Sequence, residues 1–477
     1  MCRYILYNSY IHGDDSMLVR FTVGNFLSFN KNQTLSLIAG PVQRYKDRVY
    51  QADDMKLLKF GALYGANAAG KSNFIKAMKY FSAVLFLGPE KVPNDSYFKL
   101  DPSNKEKNSY FEFEICIDGK IYAYGFEMQI ALRQITEEWF IELGKDRNRE
   151  LFTRNTVTKQ IIFDNSLIKK DSAERMNVYL TDYKAVQNGL FLSNLVTNKE
   201  DLYTENPDMQ IFKKIYEWFR SLNISFPETS ITGYDCLSKA KSSQMLEALK
   251  SFATGISNVI QTEITKEQAL DKTSGRFRTE IEEELQRHCP PDCERVPSES
   301  ECKDCGFKMN VNGQLIFVTY KDRKPVFTEV TFEHNNIPGV AFSLAEESDG
   351  TQRLLDLLSV ILSTKENSVF VIDEIDRSLH SQLTIHFIKT FLRIAEKRNI
   401  QLIVSTHESH LLDLDILRQD EIFFVEKGKM GESVLYPFDR FKERFDKKIE
   451  KPYLDGRYGG VPLFDTFFPS DDASETE

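Results

Sequence analysis

The chain has 477 residues, of which 41% are hydrophobic and 28% are charged, and its formal net charge is −10. This composition is typical of a globular protein of two or three domains, or of one large core with an insertion, and it excludes a wholly basic nucleic-acid binder. The sequence contains no run of about 18 apolar residues, so no membrane span is predicted. Seven cysteines without a secretory signal predict thiols in a reducing cytoplasm.

The first residues with a clear pattern follow a polar leader. Residues 1–16 are unpatterned, and we expect an appendage that ends where Met17 opens an alternating strand over residues 18–23. A second strand is predicted near residues 34–38. Between the two strands, residues 25–29 read Asn-Phe-Leu-Ser-Phe.

The clearest motif of the chain is at residues 65–72, which fit the pattern G-x-x-x-x-G-K-[ST]. A buried strand is predicted over residues 57–64, and an apolar stripe after the motif predicts a helix. Such a loop turns its backbone N–H groups towards a phosphate chain, so it predicts a nucleotide site, against the alternative of a Gly-rich turn that binds nothing. The predicted helix stripe comprises Phe74, Met78, Phe81 and Leu85. The predicted nucleotide ligands are Gly65, Asn67, Gly70, Lys71 and Ser72. Of these, Lys71 would bind the β- and γ-phosphates, and Ser72 would bind Mg²⁺.

The middle of the chain divides into a β region and a helical region. Residues 96–163 alternate in polarity, and Asp118-Gly119 predicts a hairpin turn. Residues 172–225 are predicted to be mainly helical, with Ile211, Ile215, Trp218 and Phe219 on one core-facing side. Residues 231–340 predict a helix at 243–252, a strand at 257–264 and an acidic helix at 276–286, together forming a short lid or protrusion.

Four of the seven cysteines lie within seventeen residues, in two close pairs beside His288. Four soft ligands in two pairs predict a closed, structural Zn²⁺ site. The alternatives are unrelated thiols on an exposed loop or redox-active pairs. The four predicted zinc ligands are Cys289, Cys293, Cys302 and Cys305.

Two apolar strands in the last third of the chain each end in chemically active residues. Residues 369–374 end in Asp373 and Glu374; in P-loop ATPases such an Asp completes the Mg²⁺ shell and an adjacent Glu acts as the general base. Residues 401–407 end in His407. Before both strands, Ser348, Asp349 and Gly350 open an apolar helix, where an anion would be stabilised.

In this order, these motifs resemble the ABC-type ATPase heads of the SMC, RecF and OLD families, over residues 17–165 and 340–460. Leu27 takes the place of the basic residue that is usual in the Asn-Phe-x-Ser-Phe motif. Residues 348–350 correspond to the ABC signature of these families, and Asp349 takes the place of the Gly that is usual there. The resemblance implies that His407 contacts the γ-phosphate and that Asp376 lies at a dimer interface. It also implies that Ser348 and Gly350 clamp the γ-phosphate bound to a second subunit.

A more specific resemblance rests on residues 373–380, 405–412 and 453–462. These stretches resemble bacterial ATPases of anti-phage abortive-infection systems of the AbiL and PARIS kind. That resemblance implies a homodimer or higher oligomer and a separately encoded nuclease partner, often of TOPRIM type. A nucleic acid or a phage protein is a further candidate partner, and the sequence does not identify the trigger.

The predicted fold class is therefore α/β: a P-loop NTPase of the ABC-ATPase head type, with a mixed central sheet, an antiparallel side sheet and an inserted, mainly helical region that carries the four-cysteine cluster. The predicted divisions are a leader (1–16), an N-terminal ATPase lobe (17–165), the helical insertion (166–340), a C-terminal ATPase lobe (341–440) and a tail (441–477).

Three classes of function compete at this point. The first is an ATPase that uses ATP and Mg²⁺ to regulate a defence nuclease. The second is a DNA-repair or chromosome-maintenance ATPase of RecF or SMC type, for which the basic residues at 213–214, at 239 and 241, and at 440–451 are candidates. The last run is interleaved with acidic residues, which favours a solvated face instead. The third is a self-contained nuclease using Asp413 and Asp415, which we expect instead to lie on a helical surface.

Overall fold

The computed structural model describes residues 16–460 except 53–54, 232–233, 235–236, 238–241, 272–274, 289–301, 312, 322–323, 336, 338, 364–365 and 442–448. Its strands are β1 (Ser16–Gly24), β2 (Gln33–Ser36), β3 (Val49–Ala52), β4 (Met55–Leu58), β5 (Phe60–Tyr64), β6 (Ser109–Ile117), β7 (Lys120–Gln129), β8 (Gln134–Leu143), β9 (Arg149–Asn155), β10 (Gln160–Phe163), β11 (Asn223–Ser225), β12 (Ile256–Ile264), β13 (Cys302–Val311), β14 (Gln314–Lys321), β15 (Lys324–His334), β16 (Ala341–Phe342), β17 (Val369–Ile372), β18 (Gln401–Ser405), β19 (Ile422–Lys427) and β20 (Ser433–Pro437). Its α-helices are α1 (Lys71–Leu87), α2 (Lys170–Tyr183), α3 (Phe191–Val196), α4 (Glu200–Glu205), α5 (Gln210–Ser221), α6 (Ser242–Ser251), α7 (Lys266–Ala269), α8 (Gly275–His288), α9 (Asp349–Leu362), α10 (Ser381–Ala395) and α11 (Glu450–Leu454).

The central sheet has six strands in the order β11-β17-β18-β5-β19-β20. The first five run parallel, and only β20 is antiparallel. Every residue of β5, β17 and β18 is buried, as expected for parallel strands covered on both faces. Because parallel strands end at the same edge, the loops after β5, β17 and β18 come together there.

The strand predicted over residues 57–64 is two strands, so this prediction is wrong in detail. β4 pairs with β3 in a separate two-stranded sheet, while β5 enters the central sheet. Lys59 separates them. Its buried ammonium donates to the carbonyls of Ala395, at 2.7 Å, and Arg398, at 3.0 Å, at the end of α10. These two hydrogen bonds satisfy the buried charge at the junction of β4 and β5.

The side sheet is antiparallel and has seven strands in the order β10-β9-β8-β7-β6-β1-β2. The predicted hairpin is confirmed: β6 and β7 are joined at Asp118 and Gly119, both with positive φ. α1 lies between this sheet and the central one. Its predicted stripe is buried in the core they share, and the stripe comprises Phe74, Met78, Phe81 and Leu85.

Helices α2–α5 confirm that residues 172–225 are mainly helical, and they attach to the side sheet in two ways. The Phe219 ring of α5 lies 5.3 Å from that of Phe113 on β6. The carboxylate of Glu138 accepts the N–H groups of Phe191 and Leu192 at the start of α3. It also pairs with Arg154 at 2.7 Å, with neither side chain exposed. Both charged groups have partners, as a stable interior ion pair requires, and of the Arg154 nitrogens only Nε lacks one.

The prediction that residues 166–340 are mainly helical is wrong for its second half. Residues 256–342 contain an antiparallel sheet, β12-β15-β14-β13, with β16 paired to β15; we call it the inserted sheet. Within it, residues 315–318 of β14 are apolar at every position because the two faces of that strand meet different cores, so β14 lacks the usual alternation. One face packs against α6 and α9 through Leu315, Val330 and Phe332, and the other forms a second core with α7 and α8.

A buried acidic group lies where residues 40–48 meet the central sheet. Arg418 and Asp420 form a two-pronged ion pair, and the Asp420 carboxylate also accepts the N–H of Gly40. One carboxylate oxygen of Glu421 accepts the Arg418 N–H, while the other has no hydrogen-bond partner. Burial raises the pKa of Glu421 from 4.5 to about 8, so this side chain is protonated in the folded protein at neutral pH.

Glu421→Gln should stabilise the protein increasingly as pH rises. Because the folded protein retains a proton that the unfolded chain releases above its ordinary pKa, stability falls by at most about 1.4 kcal/mol per pH unit as pH approaches 8. Glutamine keeps the acceptor for Arg418 and does not titrate. Urea unfolding at pH 5, 6, 7 and 8 should show a growing gain over wild type, with the exposed Glu90→Gln as control. A difference that is constant with pH would contradict this.

Candidate functional site

The phosphate loop joins β5 to α1 and depends on glycine at both ends. A Cβ at Gly65 would lie 2.3 Å from the carbonyl oxygen of Val425 on β19. Gly70 has φ +118°, and a Cβ there would lie 2.2 Å from the Ser433 hydroxyl. No side chain fits at either position, and the left-handed backbone at Gly70 favours glycine as well. Asn67 is exposed at the tip of the loop.

Lys71, the first residue of α1, is buried with its charge directed into the loop. Its ammonium donates to the carbonyls of Gly65, at 2.7 Å, and Ala66, at 3.2 Å. Burial lowers the pKa of Lys71 from 10.5 to about 8, opposed by the carboxylates of Asp373, Asp376 and Glu374. A further anion at the loop would favour the charged form of Lys71.

Ser72 and Asp373 come together although 301 residues separate them in the chain. The Ser72 hydroxyl donates to the Asp373 carboxylate at 3.2 Å. Asp373 is buried, its N–H donates to the Ser225 carbonyl, and its carboxylate also accepts the Ser405 hydroxyl from β18. A hydroxyl and a carboxylate are the hard oxygen ligands that Mg²⁺ prefers, so these two residues would hold the ion that accompanies a bound nucleotide.

Glu374 occupies a strained turn at the end of β17. Its φ is +47°, a left-handed conformation that is unusual for glutamate, and its N–H donates to the Ser405 hydroxyl at 2.8 Å. Behind the turn, the buried guanidinium of Arg353 approaches the carbonyls of Asp373, at 3.5 Å, and Glu374, at 3.4 Å. Strain of this kind persists where the surrounding structure enforces it, as at many catalytic sites.

His407 follows β18 and reaches the surface beside the loop. Its backbone N–H donates to both carboxylate oxygens of Asp376, at 3.3 and 3.2 Å. Desolvation by neighbouring protein, and then the charge of Lys71, lower the pKa of His407 below 6.5. The imidazole is therefore neutral at physiological pH and can donate a hydrogen bond to an anion without carrying a charge.

The predicted signature begins α9 as expected. The Ser348 hydroxyl caps the helix by accepting the Thr351 N–H at 3.2 Å. A Cβ at Gly350 would lie 2.9 Å from the Ser378 carbonyl oxygen in the turn after β17, which explains the glycine. Within the described part of the chain, the Ser348 side chain is exposed and contacts only Thr351. Ser348 therefore does not join the group formed by Lys71, Ser72 and Asp373.

Several supporting residues lie outside the motifs. Ser433, on β20, donates to the Ala69 carbonyl and bonds to Ser28 at 2.8 Å, and Ser28 in turn accepts a hydrogen bond from Asn73 at 2.9 Å. Only Ser28 had a sequence signal, through the word at 25–29. Leu27 in that word has φ +47°, and its N–H donates to Ser96.

The segment after α11 also reaches the phosphate loop. The Tyr453 ring stacks on Phe424 at 5.5 Å, and the Tyr453 hydroxyl donates to the Gly460 carbonyl. A Cβ at Gly460 would lie 3.4 Å from the Cα of Gly65. The segment of the predicted tail at residues 449–460 is therefore packed onto the ATPase lobe.

The structure gives only partial information on the predicted zinc ligands. Cys289 and Cys293 lie outside the described residues, and of Cys302 and Cys305, at the start of β13, only the backbone is described. Among the described side chains, no group of three or more His, Cys, Asp and Glu residues is arranged to hold a metal ion.

One protein-family model matches this chain. The family model described as "AAA domain, putative AbiEii toxin, Type IV TA system" matches residues 60–413, well over half of the chain. The chain belongs to this family. No curated protein matches it.

Among solved structures, this member of the AAA-domain family is similar to three SMC heads. The SMC head domain from Thermotoga maritima is 14% identical, with 88% of this chain and 98% of that chain covered and a TM-score of 0.33. An SmcHead bound to the C-winged helix domain of ScpA is 12% identical, with 88% and 96% covered and a TM-score of 0.39. An Smc head with an extended coiled coil, bound to the C-terminal domain of ScpA derived from Pyrococcus furiosus, is 13% identical, with 89% and 97% covered and a TM-score of 0.35. At this level of similarity, none of them bears on the site residues.

The residues considered for a nuclease site are differently placed from the prediction. Asp413 and Asp415 lie in a turn and not on a helix: the Asp415 N–H donates to Asp413 at 2.8 Å. Arg44 pairs with Asp415 at 2.9 Å and donates to the Leu414 carbonyl. The polar groups of this turn therefore bind Arg44 and hold the segment of residues 40–48 against the turn.

The residues considered for DNA binding are partly paired with acids. Lys213 pairs with Glu200, and Lys214 with Asp118 at 2.7 Å. Residues 239, 241, 442, 444, 447 and 448 lie outside the described residues. The described helices include none long and apolar enough to cross a bilayer.

Proposed function

We propose that this member of the AAA-domain family hydrolyses ATP at composite sites between two copies of the chain, as the regulatory subunit of an anti-phage defence system that controls a nuclease. The observation that carries the ATPase proposal is the linked group of Lys71, Ser72 and Asp373 at the carboxyl edge of a parallel sheet. In that position, a phosphate-binding loop, a cation and a magnesium ligand set converge.

Each residue near the loop then has a defined role. Lys71 and the loop N–H groups bind the β- and γ-phosphates, and Ser72 and Asp373 hold Mg²⁺, which neutralises the charge that develops during phosphoryl transfer. Glu374 orients and deprotonates the attacking water. His407 donates to the γ-phosphate, and its backbone is held in place by the bond to Asp376.

A second subunit supplies the signature in this proposal. Ser348 and Gly350 are at the start of α9, where the helix dipole favours an anion, yet the Ser348 hydroxyl does not meet its own loop. An exposed helix start beside an ATP site suits a γ-phosphate held by another copy of the chain. A two-fold dimer would then contain two equivalent sites.

The regulatory role is tested by assembly. The family description names a putative toxin of a type IV toxin–antitoxin system, which is consistent with a function in cell defence. Purification together with the product of the neighbouring gene should give a stable complex with a nuclease, which is detected by measuring the molecular mass of the complex. If the isolated protein instead binds DNA in a strongly salt-dependent way and no nuclease joins it, the repair or chromosome-maintenance ATPase becomes the better proposal.

We also propose that the four-cysteine cluster holds a structural zinc ion. The Cys302 backbone pairs with that of Tyr320, whose hydroxyl donates at 2.8 Å to the Leu285 carbonyl near the end of α8. The chain therefore leaves α8, just before Cys289, close to where it enters β13 at Cys302. This proximity would let the two cysteine pairs meet with a short loop between them.

Metal analysis of the purified protein should find about one zinc ion per chain. Cys302→Ser or Cys305→Ser should remove it, because a structural site needs all four ligands, while Cys116→Ser in the side sheet should not. A metal-free protein whose four thiols are all freely alkylated in the native state would contradict the zinc proposal.

A further inference from the structure

The inserted sheet contacts the chain immediately before the signature. In the turn between β13 and β14, the Gly313 carbonyl accepts the Ala345 N–H at 3.1 Å. Gly313 has φ +86°, and a Cβ there would lie 2.2 Å from the Ala345 Cβ. The approach is therefore so close that only glycine fits, and movement of this turn would be transmitted to residues 344–348.

A second contact joins the same sheet to the residue that precedes Ser348. His334, the last residue of β15, has its Nε2 2.7 Å from the Glu347 carboxylate, which is only 4% exposed. The Glu347 carbonyl accepts the side-chain amide of Gln352, in the first turns of α9, at 2.9 Å. Glu347 is thus held by the inserted sheet through its side chain and by α9 through its backbone.

The sheet and α9 also share a hydrophobic core. Val330 and Phe332 of β15 are buried in the same cluster as Leu354 and Leu358 of α9. The opposite face of the sheet belongs to the separate core with α8. The inserted sheet is consequently a layer between α9, which begins with the signature, and helices α7 and α8.

We propose that His334 and Glu347 are positioning residues through which the inserted sheet controls hydrolysis of the ATP bound to the partner subunit. This inference rests on the composite sites of the proposed function. Ser348 must be placed to within about 0.5 Å to contact a γ-phosphate. Removal of His334 leaves a buried carboxylate without its partner, so residues 344–348 would shift to solvate it and would carry Ser348 out of place.

The proposal predicts a specific pattern for His334→Ala. ATP binding to a single chain should be unchanged, because the variant does not touch Lys71, Ser72 or Asp373. Steady-state turnover should fall about 10- to 100-fold in kcat with little change in KM, as expected for a misplaced transition-state contact. His334→Gln, whose amide can still donate to Glu347, should recover part of the rate. Asn258→Ala removes a different contact of this sheet, that with Glu333, and should leave turnover unchanged.

The deciding experiment mixes variants. In a mixed dimer of His334→Ala and Glu374→Gln chains, one site carries both lesions and the other carries neither, so hydrolysis should return. The reference mixture is Ser348→Arg with Glu374→Gln. If that reference recovers activity and the His334→Ala mixture does not, the inference is wrong while the composite sites stand. If neither mixture recovers activity, the composite sites are wrong and the inference falls with them. A His334→Ala protein that loses thermal stability but keeps its kcat also overturns the inference.

Discussion

Mixing Glu374→Gln chains with Ser348→Arg chains should restore ATP hydrolysis that neither variant catalyses alone. Glu374→Gln keeps the Mg²⁺ ligands Ser72 and Asp373 but removes the general base, which should lower kcat by about 10²- to 10⁴-fold. Nucleotide that stays bound then favours the closed dimer by mass action, so this variant should also elute as a dimer in the presence of ATP and Mg²⁺.

Ser348→Arg acts on the other half of the proposed composite site. Its long side chain would displace the γ-phosphate contact at the start of α9, so the site to which this helix contributes should be inactive, while the subunits still pair and ATP binding to a single chain stays close to that of wild type. The substitution also removes a helix cap that is worth about 1 kcal/mol. Ser348→Asp is therefore the matched variant: aspartate caps the helix equally well but repels a γ-phosphate, and it should be just as inactive.

The mixture separates shared sites from sites contained in one chain. Random pairing places half of the chains in mixed dimers with one intact site each, so about a quarter of wild-type turnover should return. The measurement is steady-state phosphate release across mixing ratios, with each variant mixed with wild type as reference. Activity that falls in simple proportion to the fraction of either variant, with no recovery when the two are combined, would contradict a composite site.

Lys71→Ala should abolish ATP binding at concentrations that saturate the wild-type protein. The substitution removes the one cation inside the phosphate loop and its charge-assisted hydrogen bonds, each worth about 1.5–3 kcal/mol. Turnover should fall by at least about 100-fold, as for removal of one preorganised donor at a reacting centre. Binding is measured by equilibrium titration with ATP and Mg²⁺.

Lys59→Ala is the matched control for Lys71→Ala. Lys59 is also a buried lysine that donates to two carbonyls, but it lies at the opposite end of β5 and holds the end of α10. This control should lower thermal stability and leave the affinity of the folded protein for ATP unchanged. If Lys71→Ala bound and hydrolysed ATP as well as wild type, the assignment of the loop would be wrong.

The pKa of Lys71 adds a pH signature to the same site. Burial lowers that pKa to about 8, and a bound phosphate chain would raise it. ATP binding should therefore take up a proton above pH 8, and affinity should decrease as pH rises from 8 to 9. Calorimetry in two buffers of different ionisation enthalpy measures the uptake, which should disappear in Lys71→Met if ATP binding to that variant is detectable at high concentration.

The sequence by itself determined the local elements of the ATPase lobes. The phosphate loop, the hairpin at residues 118–119, the apolar stripe of α1, the β17 and β18 strands and the capped start of α9 all follow from short-range patterns. Hydrophobic periodicity, glycine in turns that need it and a serine at a helix start act within a few residues, so they can be identified without knowledge of the fold.

Only the tertiary structure decided which distant groups meet. Ser405 bonds Asp373 and Glu374 because β18 lies beside β17, and Ser433 supports the loop because β20 closes the sheet. Serine is too common in strands for either to be singled out from the sequence. Lys59, at the junction of β4 and β5, donates to two carbonyls that lie more than 300 residues away in the chain.

The inserted sheet is the largest difference between expectation and structure. The strand predicted at residues 257–264 is confirmed as β12, but the sequence pattern did not identify β13, β14 and β15. Residues 315–318 of β14 are apolar at every position because one face meets α9 and the other meets α8, and a short apolar run carries no signal that separates such a strand from a helix. The contact between His334 and Glu347 likewise depends on the register of β15 against the segment before α9. Sheet order and register are set by packing across the whole chain. For that reason, the contacts between the inserted sheet and the residues just before the signature could not be predicted from the sequence.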